Sequence, residues 1–206
     1  MKITLTILLI FLFNVGTNIN DADWVLEMDK NEIMIWTRET GSSRVKSFKA
    51  ITTLTASVEQ LATVLNDVEA YPEWMSDVEY TEVLEEISEN ERFYYFEVNA
   101  PWPVSNRDNI VHFILKKDPK TMGFKVTVIG EASYIPQKPD IVRIPESKGS
   151  WEFIPLENGG SKVIFEYAAD PGGKLPTWAI NMFIVDGPFK TLSNLKEFVK
   201  QNKYQK

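Results

Sequence analysis

Few side chains in this sequence can form a reactive centre. There is no cysteine and one histidine, His112. The lack of cysteine excludes disulfides, thiolate nucleophiles, cysteine zinc sites and iron–sulfur clusters. A Ser-His-Asp relay or a histidine metal site would have to rest on His112 alone. His112 alternates with Val111 and Phe113, so it is expected on the opposite face from them, as outer-face packing rather than a catalyst. Glu82, Glu85, Glu86 and Glu89 lack metal-ligand spacing and read as a solvated hairpin. No catalytic or metal-ligating residue and no cofactor is assigned. The notable polar pair is Arg107-Asp108, at the start of an apolar alternating stretch. Its side chains should leave the strand on opposite faces. Arg107 then either turns inward towards the polar end of a bound molecule or helps pin the preceding loop.

The elements that position these residues come from an ordinary globular composition, 44% hydrophobic and 25% charged, with aromatics at 12% of 206 residues. That length suits one domain plus a short appendage. The net charge of −7 argues against nucleic-acid binding, which depends on neutralising phosphates with Lys and Arg. Lys2 followed by the apolar run Ile3–Phe13 and the small polar residues 14–18 has the order of a signal peptide. The apolar run is too short to span a bilayer comfortably. The expected division is a leader over 1–20 and one domain over 21–206. With no lipid-modifiable cysteine, the expected location is exported, in a bacterial periplasm.

Asp21–Met28 reads as a short helix capped by Asp21. Strands are expected over Glu32–Arg38 and Val45–Leu54. Ser57 and Gln60 form a capping box ahead of a helix with the stripe Val58, Leu61, Ala62 and Leu65. A turn or short helix surrounds Tyr71-Pro72. Strands then follow over Val78–Ile87, Arg92–Asn99, Arg107–Lys117, Gly123–Glu131, Ser147–Pro155 and Ser161–Ala169, separated by turn-forming clusters. Their alternation predicts inward sets such as Tyr94, Phe96 and Val98, then Val111 and Phe113, then Val126 and Val128. Trp151 with Phe153, and Phe165 with Tyr167, continue the series. A last helix over Pro176–Gln201 carries a stripe through Trp178, Met182, Val185, Phe189, Leu192, Leu195 and Val199, with a kink expected at Gly187-Pro188. This order predicts an α+β architecture, a curved antiparallel sheet wrapped around one long helix.

Pro101-Trp102-Pro103-Val104-Ser105-Asn106-Arg107-Asp108 resembles the P-W-P-x-S-x-R-D signature of START domains, the lipid-transfer modules related to the steroidogenic acute regulatory protein. The segment from Asp170 to Trp178, D-P-G-G-K-L-P-T-W, is similar to the approach to that family's last helix. Asn181, the run Asp186 to Leu192 and Tyr71-Pro72-Glu73-Trp74 add to the likeness. The resemblance spans about residues 22–200 in the family's order.

The resemblance implies a helix-grip fold with a tunnel between sheet and last helix. It implies one bound lipid or sterol, and often transfer of it between membranes. A lipid or hydrophobic small-molecule ligand, transient membrane contact and a monomeric state are the expected partners and assembly. The implied wall is Tyr94, Phe96, Arg107, Val111, Phe113, Val126, Trp151 and Phe165 from the strands, and Trp178, Met182, Val185 and Phe189 from the helix. Phe183 and Ile184 are expected at a membrane-contacting edge. Pro171-Gly172-Gly173 is expected to act as a hinge or a tight connection. Some sterol-binding relatives face an acidic and a basic residue across two neighbouring strands. Tyr94 and Phe113 are expected at those positions, which leaves the cavity apolar with one hydroxyl. Two other readings stay open. One is a helix-grip enzyme of the aromatase/cyclase type using Tyr94, Arg107 and Tyr167. The other is a sensor or docking module that binds without transferring.

Overall fold

The computed structural model describes residues 23–39 and 46–205, so the expected leader over 1–20 lies outside the described residues. The strands are β1 (Val25–Lys30), β2 (Ile33–Glu39), β3 (Lys46–Leu54), β4 (Val78–Ser88), β5 (Glu91–Val98), β6 (Arg107–Lys117), β7 (Phe124–Gly130), β8 (Val142–Arg143), β9 (Glu146–Pro155) and β10 (Ser161–Asp170). Nine of them follow one another as β1-β2-β3-β10-β9-β7-β6-β5-β4 in a 10-stranded sheet, and β8 pairs with β6. Every pairing along that path is antiparallel. Between β3 and β4 lie α1 (Val58–Asn66) and α2 (Tyr71–Trp74). The chain returns across the inner face as α3 (Thr177–Asn181), a π-helical turn (Met182–Asp186) and α4 (Gly187–Phe198).

The capping box forms as expected: Ser57 N–H donates to Gln60 Oε1 at 2.8 Å, and Gln60 N–H donates to Ser57 Oγ at 3.2 Å. The buried face of α1 joins Tyr71 and Trp74 of α2 and Leu192, Leu195 and Phe198 of α4 in one core. Trp74 meets Trp151 of β9 edge-on, with ring centroids 6.1 Å apart. This packing fixes α4 over the sheet, and the π turn and α3 extend beyond it.

Three expectations change. Val25–Lys30 is a strand, so the helix expected over Asp21–Met28 does not form there. Asn31 and Glu32 both take positive φ, 54° and 63°, which makes the tight reversal that folds β1 onto β2. An isolated helix of that length would have little to offset its nucleation cost, whereas β1 gains a ladder of hydrogen bonds. Across β5 and β6, Tyr94 faces Val111 and Arg92 faces Phe113, so Tyr94 and Phe113 are diagonal neighbours. The kink at Gly187-Pro188 takes the form of the π turn. Proline lacks an N–H and its ring collides with the carbonyl four residues back, and widening the preceding turn relieves that conflict. The Gly187 N–H reaches Met182 O, five residues back.

Candidate ligand-binding site

Between the inner face of the sheet and the C-terminal helix lies an apolar cavity of about 190 Å³. From the strands, Tyr94, Phe96, Val111 and Phe113 line it with Val126, Trp151 and Phe165, and Arg107 lies at its polar end. Trp151 and Phe165 stack at 3.8 Å and form a flat stretch of wall. Tyr167 also lines the cavity, with its ring over Gly149, where an added Cβ would meet the ring at 2.4 Å. The glycine is therefore what lets the phenol lie against the sheet.

The helix presents a different face from the one expected. Ile180, Phe183, Ile184, Gly187, Pro188 and Thr191 line the cavity, while Trp178, Met182, Val185 and Phe189 do not. The π turn inserts one residue into a stripe that an unbroken α-helix would have carried through Val185, so the cavity side passes through Ile184 and Ile180 instead. Val185 and Phe189 pack from the side against the core, and Trp178 is 49% exposed. The same shift carries Phe183 and Ile184 from the expected outer edge into the cavity wall.

Polar groups gather where the loops meet. Arg107 is 4% exposed. Its Nε donates to Pro171 O at 3.4 Å and its Nη1 donates to Ser105 O, so it staples the Pro101–Ser105 loop to the segment before α3. No carboxylate pairs with it among the described residues. Burial lowers its pKa. Asp108 leaves β6 on the other face, fully buried, and is held by Arg143. The ion pair that pins a loop thus belongs to Asp108, while Arg107 both lines the cavity and bonds loop carbonyls.

One turn of strand inward, Asn109 Nδ2 donates to Ser147 Oγ at 2.8 Å and to Tyr167 OH at 3.0 Å. Asn109 Oδ1 is buried without a partner among the described residues. Asp77 and Ser76 line the cavity across from the sheet, with Ser76 Oγ donating to Asp77 Oδ2 at 2.6 Å. None of Asn109, Ser147, Ser76 and Asp77 was singled out from the sequence. The signal available for Asn109 was a polar side chain at an inward position between Arg107 and Val111.

His112 sits on the outer face, stacked on Phe93 at 4.5 Å, with Nε2 2.8 Å from Glu91 Oε1. Tyr94 and Tyr167 are pushed to higher pKa, first by burial, so both stay protonated at neutral pH. The two phenols are therefore hydrogen-bond donors and acceptors rather than ionised bases.

An open antiparallel sheet gripping a C-terminal helix over an apolar cavity with a small polar end defines a helix-grip ligand-binding protein. The START domain model matches residues 14–205, and the chain belongs to that family. A STAR-related lipid transfer protein from Xanthomonas axonopodis is 34% identical with a TM-score of 0.79, covering 87% of this chain and 99% of that one. The rat (Rattus norvegicus) phosphatidylcholine transfer protein is 30% identical over 192 residues, 90% of this chain and 87% of its own. An aromatase/cyclase from Streptomyces shares the fold at 14% identity and a TM-score of 0.50, over 74% of this chain and 90% of its own.

Proposed function

We propose that the protein carries a lipid, its apolar chain between sheet and helix and its polar group at Arg107, and exchanges that lipid with membranes. The observation that carries this reading is a buried cation that no carboxylate among the described residues pairs with, at the polar end of an apolar cavity. An uncompensated buried charge is costly, and an acidic or strongly dipolar lipid group would offset it. The START relatives named for lipid and phosphatidylcholine transfer support the same reading. Export by way of the leader over residues 1–20 is part of the proposal, as is action as a monomer.

The cavity of about 190 Å³ is smaller than the ~300–1,000 Å³ typical of ligand pockets, so loading requires the helix to move. Gly172 and Gly173, with φ of 67° and 63°, lie just before α3 and are placed to absorb that motion. Trp102, 91% exposed in the loop that Arg107 staples, and the half-exposed Trp178 are placed to touch a bilayer surface during exchange.

Native mass spectrometry of the protein from its own host, with organic extraction, tests the proposal. A stoichiometric lipid adduct, together with accelerated lipid exchange between labelled vesicles, is expected. A clean protein mass that takes up nothing from mixed vesicles would overturn it. Binding without exchange would leave a sensor in place of a carrier.

A further inference from the structure

Among the described residues two charged side chains belong to the cavity lining, and they carry opposite signs: Arg107 and Asp77. No ion pair joins them, and neither pairs with another charged residue among the described residues. Arg107 donates through Nε and Nη1 to backbone carbonyls. Asp77 accepts at Oδ2 from Ser76 Oγ, itself on a cavity-lining residue, and Oδ1 takes no hydrogen bond from the described residues.

The edge of the sheet brings Asp77 to this place. Its carbonyl accepts from the Asn99 N–H at 2.7 Å, and the next residue, Val78, opens β4. Val78 pairs with Val98, and Val98 pairs with Arg107. Asp77 and Arg107 thus stand at one end of the sheet with β5 between them, their backbones roughly 10 Å apart across two strand spacings. Arg107 is buried and Asp77 partly so. Opposite charges that share an apolar cavity without meeting are costly, and a ligand that bridges them offsets both.

We propose that Asp77 is a specificity-determining residue that takes the primary ammonium of a lipid whose phosphate lies on Arg107, so that the cavity selects the ethanolamine head group over choline and glycerol. This rests on the carrier reading above. A primary ammonium brings its charge and its N–H donors directly onto a carboxylate oxygen. The quaternary ammonium of choline has no N–H and holds its charge behind methyl groups, where the attraction is weaker. A glycerol head group sets the carboxylate against a net negative lipid with no cation to offset it, and that repulsion disfavours the wrong partner.

The test offers the full chain vesicles holding equal amounts of phosphatidylethanolamine, phosphatidylcholine and phosphatidylglycerol, then reads the lipids on the repurified protein by native mass spectrometry. The wild type is expected to load the ethanolamine lipid over either of the others by about tenfold, the worth of one hydrogen bond to a charged group. Asp77 has a φ of 63°, a conformation that Gly and Asn both tolerate. Asp77→Gly removes the carboxylate and is expected to load the three lipids alike with total loading retained. Asp77→Asn keeps an acceptor for Ser76 Oγ without the charge and is expected to lose the discrimination against the glycerol lipid. A carboxylate that only shapes the turn would lower the unfolding temperature of Asp77→Gly and leave the lipid ratios unchanged, which overturns the proposal. Equal loading by the wild type, or a preference that survives both substitutions, overturns it while the carrier reading stands. Loading of no lipid by the wild type overturns the carrier reading and this proposal with it. If Asp77→Gly does not fold, Asp77→Asn decides, and an unchanged ratio of ethanolamine to glycerol lipid overturns the proposal.

Discussion

Arg143 grips Asp108 in a two-pronged ion pair, Nε to Oδ1 at 2.7 Å and Nη2 to Oδ2 at 3.0 Å, with the carboxylate fully buried. The remaining guanidinium hydrogens go to the carbonyls of Ala132, Ile135 and Pro136. One side chain thus ties the long loop after β7 to the start of β6, directly behind Arg107.

Breaking this pair from one side strands a buried charge. Asp108→Ala is expected to lower stability by about 3–5 kcal/mol. Arg143→Met leaves a bare buried carboxylate and unpaired loop carbonyls and should cost as much. Chemical denaturation monitored by tryptophan fluorescence measures both. If both losses stay under about 1 kcal/mol, the range expected of an exposed pair, the clamp does not hold the loop.

Arg107 calls for the opposite readout. Among the described residues its side chain bonds two backbone carbonyls, those of Ser105 and Pro171, and it lines the cavity. Arg107→Met keeps the apolar stem and removes the donors. Loading of a phospholipid is expected to fall on the order of tenfold to a hundredfold, the worth of a hydrogen bond to a charged group, measured by competition for vesicle lipid. Undiminished loading would leave Arg107 as a loop staple alone.

The strand half of the cavity wall was legible because a strand repeats every two residues and a cavity face reads as an unbroken apolar set. Tyr94, Val111, Phe113, Val126, Trp151 and Phe165 could be aligned without knowing which strand pairs with which. Pairing register was less legible: Tyr94 lies opposite Val111, and only the ladder reveals that Arg92 faces Phe113. Arg92 is inward and buried, but its guanidinium bonds Asn66 O at 3.0 Å and Glu89 O at 2.7 Å rather than lining the cavity. The helix half failed for a different reason. A stripe carried back from Leu192 assumes 3.6 residues per turn throughout, and the π turn before Pro188 adds one residue that periodicity cannot register. β1 was missed because Asn31-Glu32 lacks the glycine that usually marks its kind of turn. β8, with two residues, is too short to show any period.

The two glycines of the proposed hinge, Gly172 and Gly173, should respond differently to substitution. Both have positive φ, so alanine at either costs about 1–2 kcal/mol in backbone strain. At Gly172 an added Cβ would also meet Val142 Cγ1 at 3.0 Å and Arg143 O at 3.1 Å, whereas at Gly173 it would meet nothing within 4 Å. Gly172→Ala is therefore expected to destabilise more than Gly173→Ala in denaturant titrations. Both should slow lipid exchange between vesicles by stiffening the segment before α3. Equal destabilisation would mean that the Gly172 contact relaxes freely, and unchanged exchange rates would place the hinge elsewhere.

Alkaline pH should unfold the protein through its tyrosines. All 7 tyrosines are shifted upward. Burial is the first cause at Tyr71, Tyr94, Tyr95, Tyr167 and Tyr204, where it lifts Tyr204 to about 12; carboxylate hydrogen bonds lead at Tyr80 and Tyr134. A phenol whose folded pKa lies above its unfolded value keeps its proton in the folded chain after the unfolded chain has lost it. Its contribution is complete below about pH 10 and is lost as pH rises through the folded values. Each such buried phenol reduces stability by up to about 1.4 kcal/mol per pH unit in that window. Absorbance at the phenolate band should show little ionisation of Tyr71, Tyr94 and Tyr167 until ellipticity collapses, with the two changes coinciding. Smooth ionisation of all tyrosines near pH 10 with the fold intact would mean that water reaches the cavity wall, and the apolar binding site drawn between sheet and helix would have to be given up.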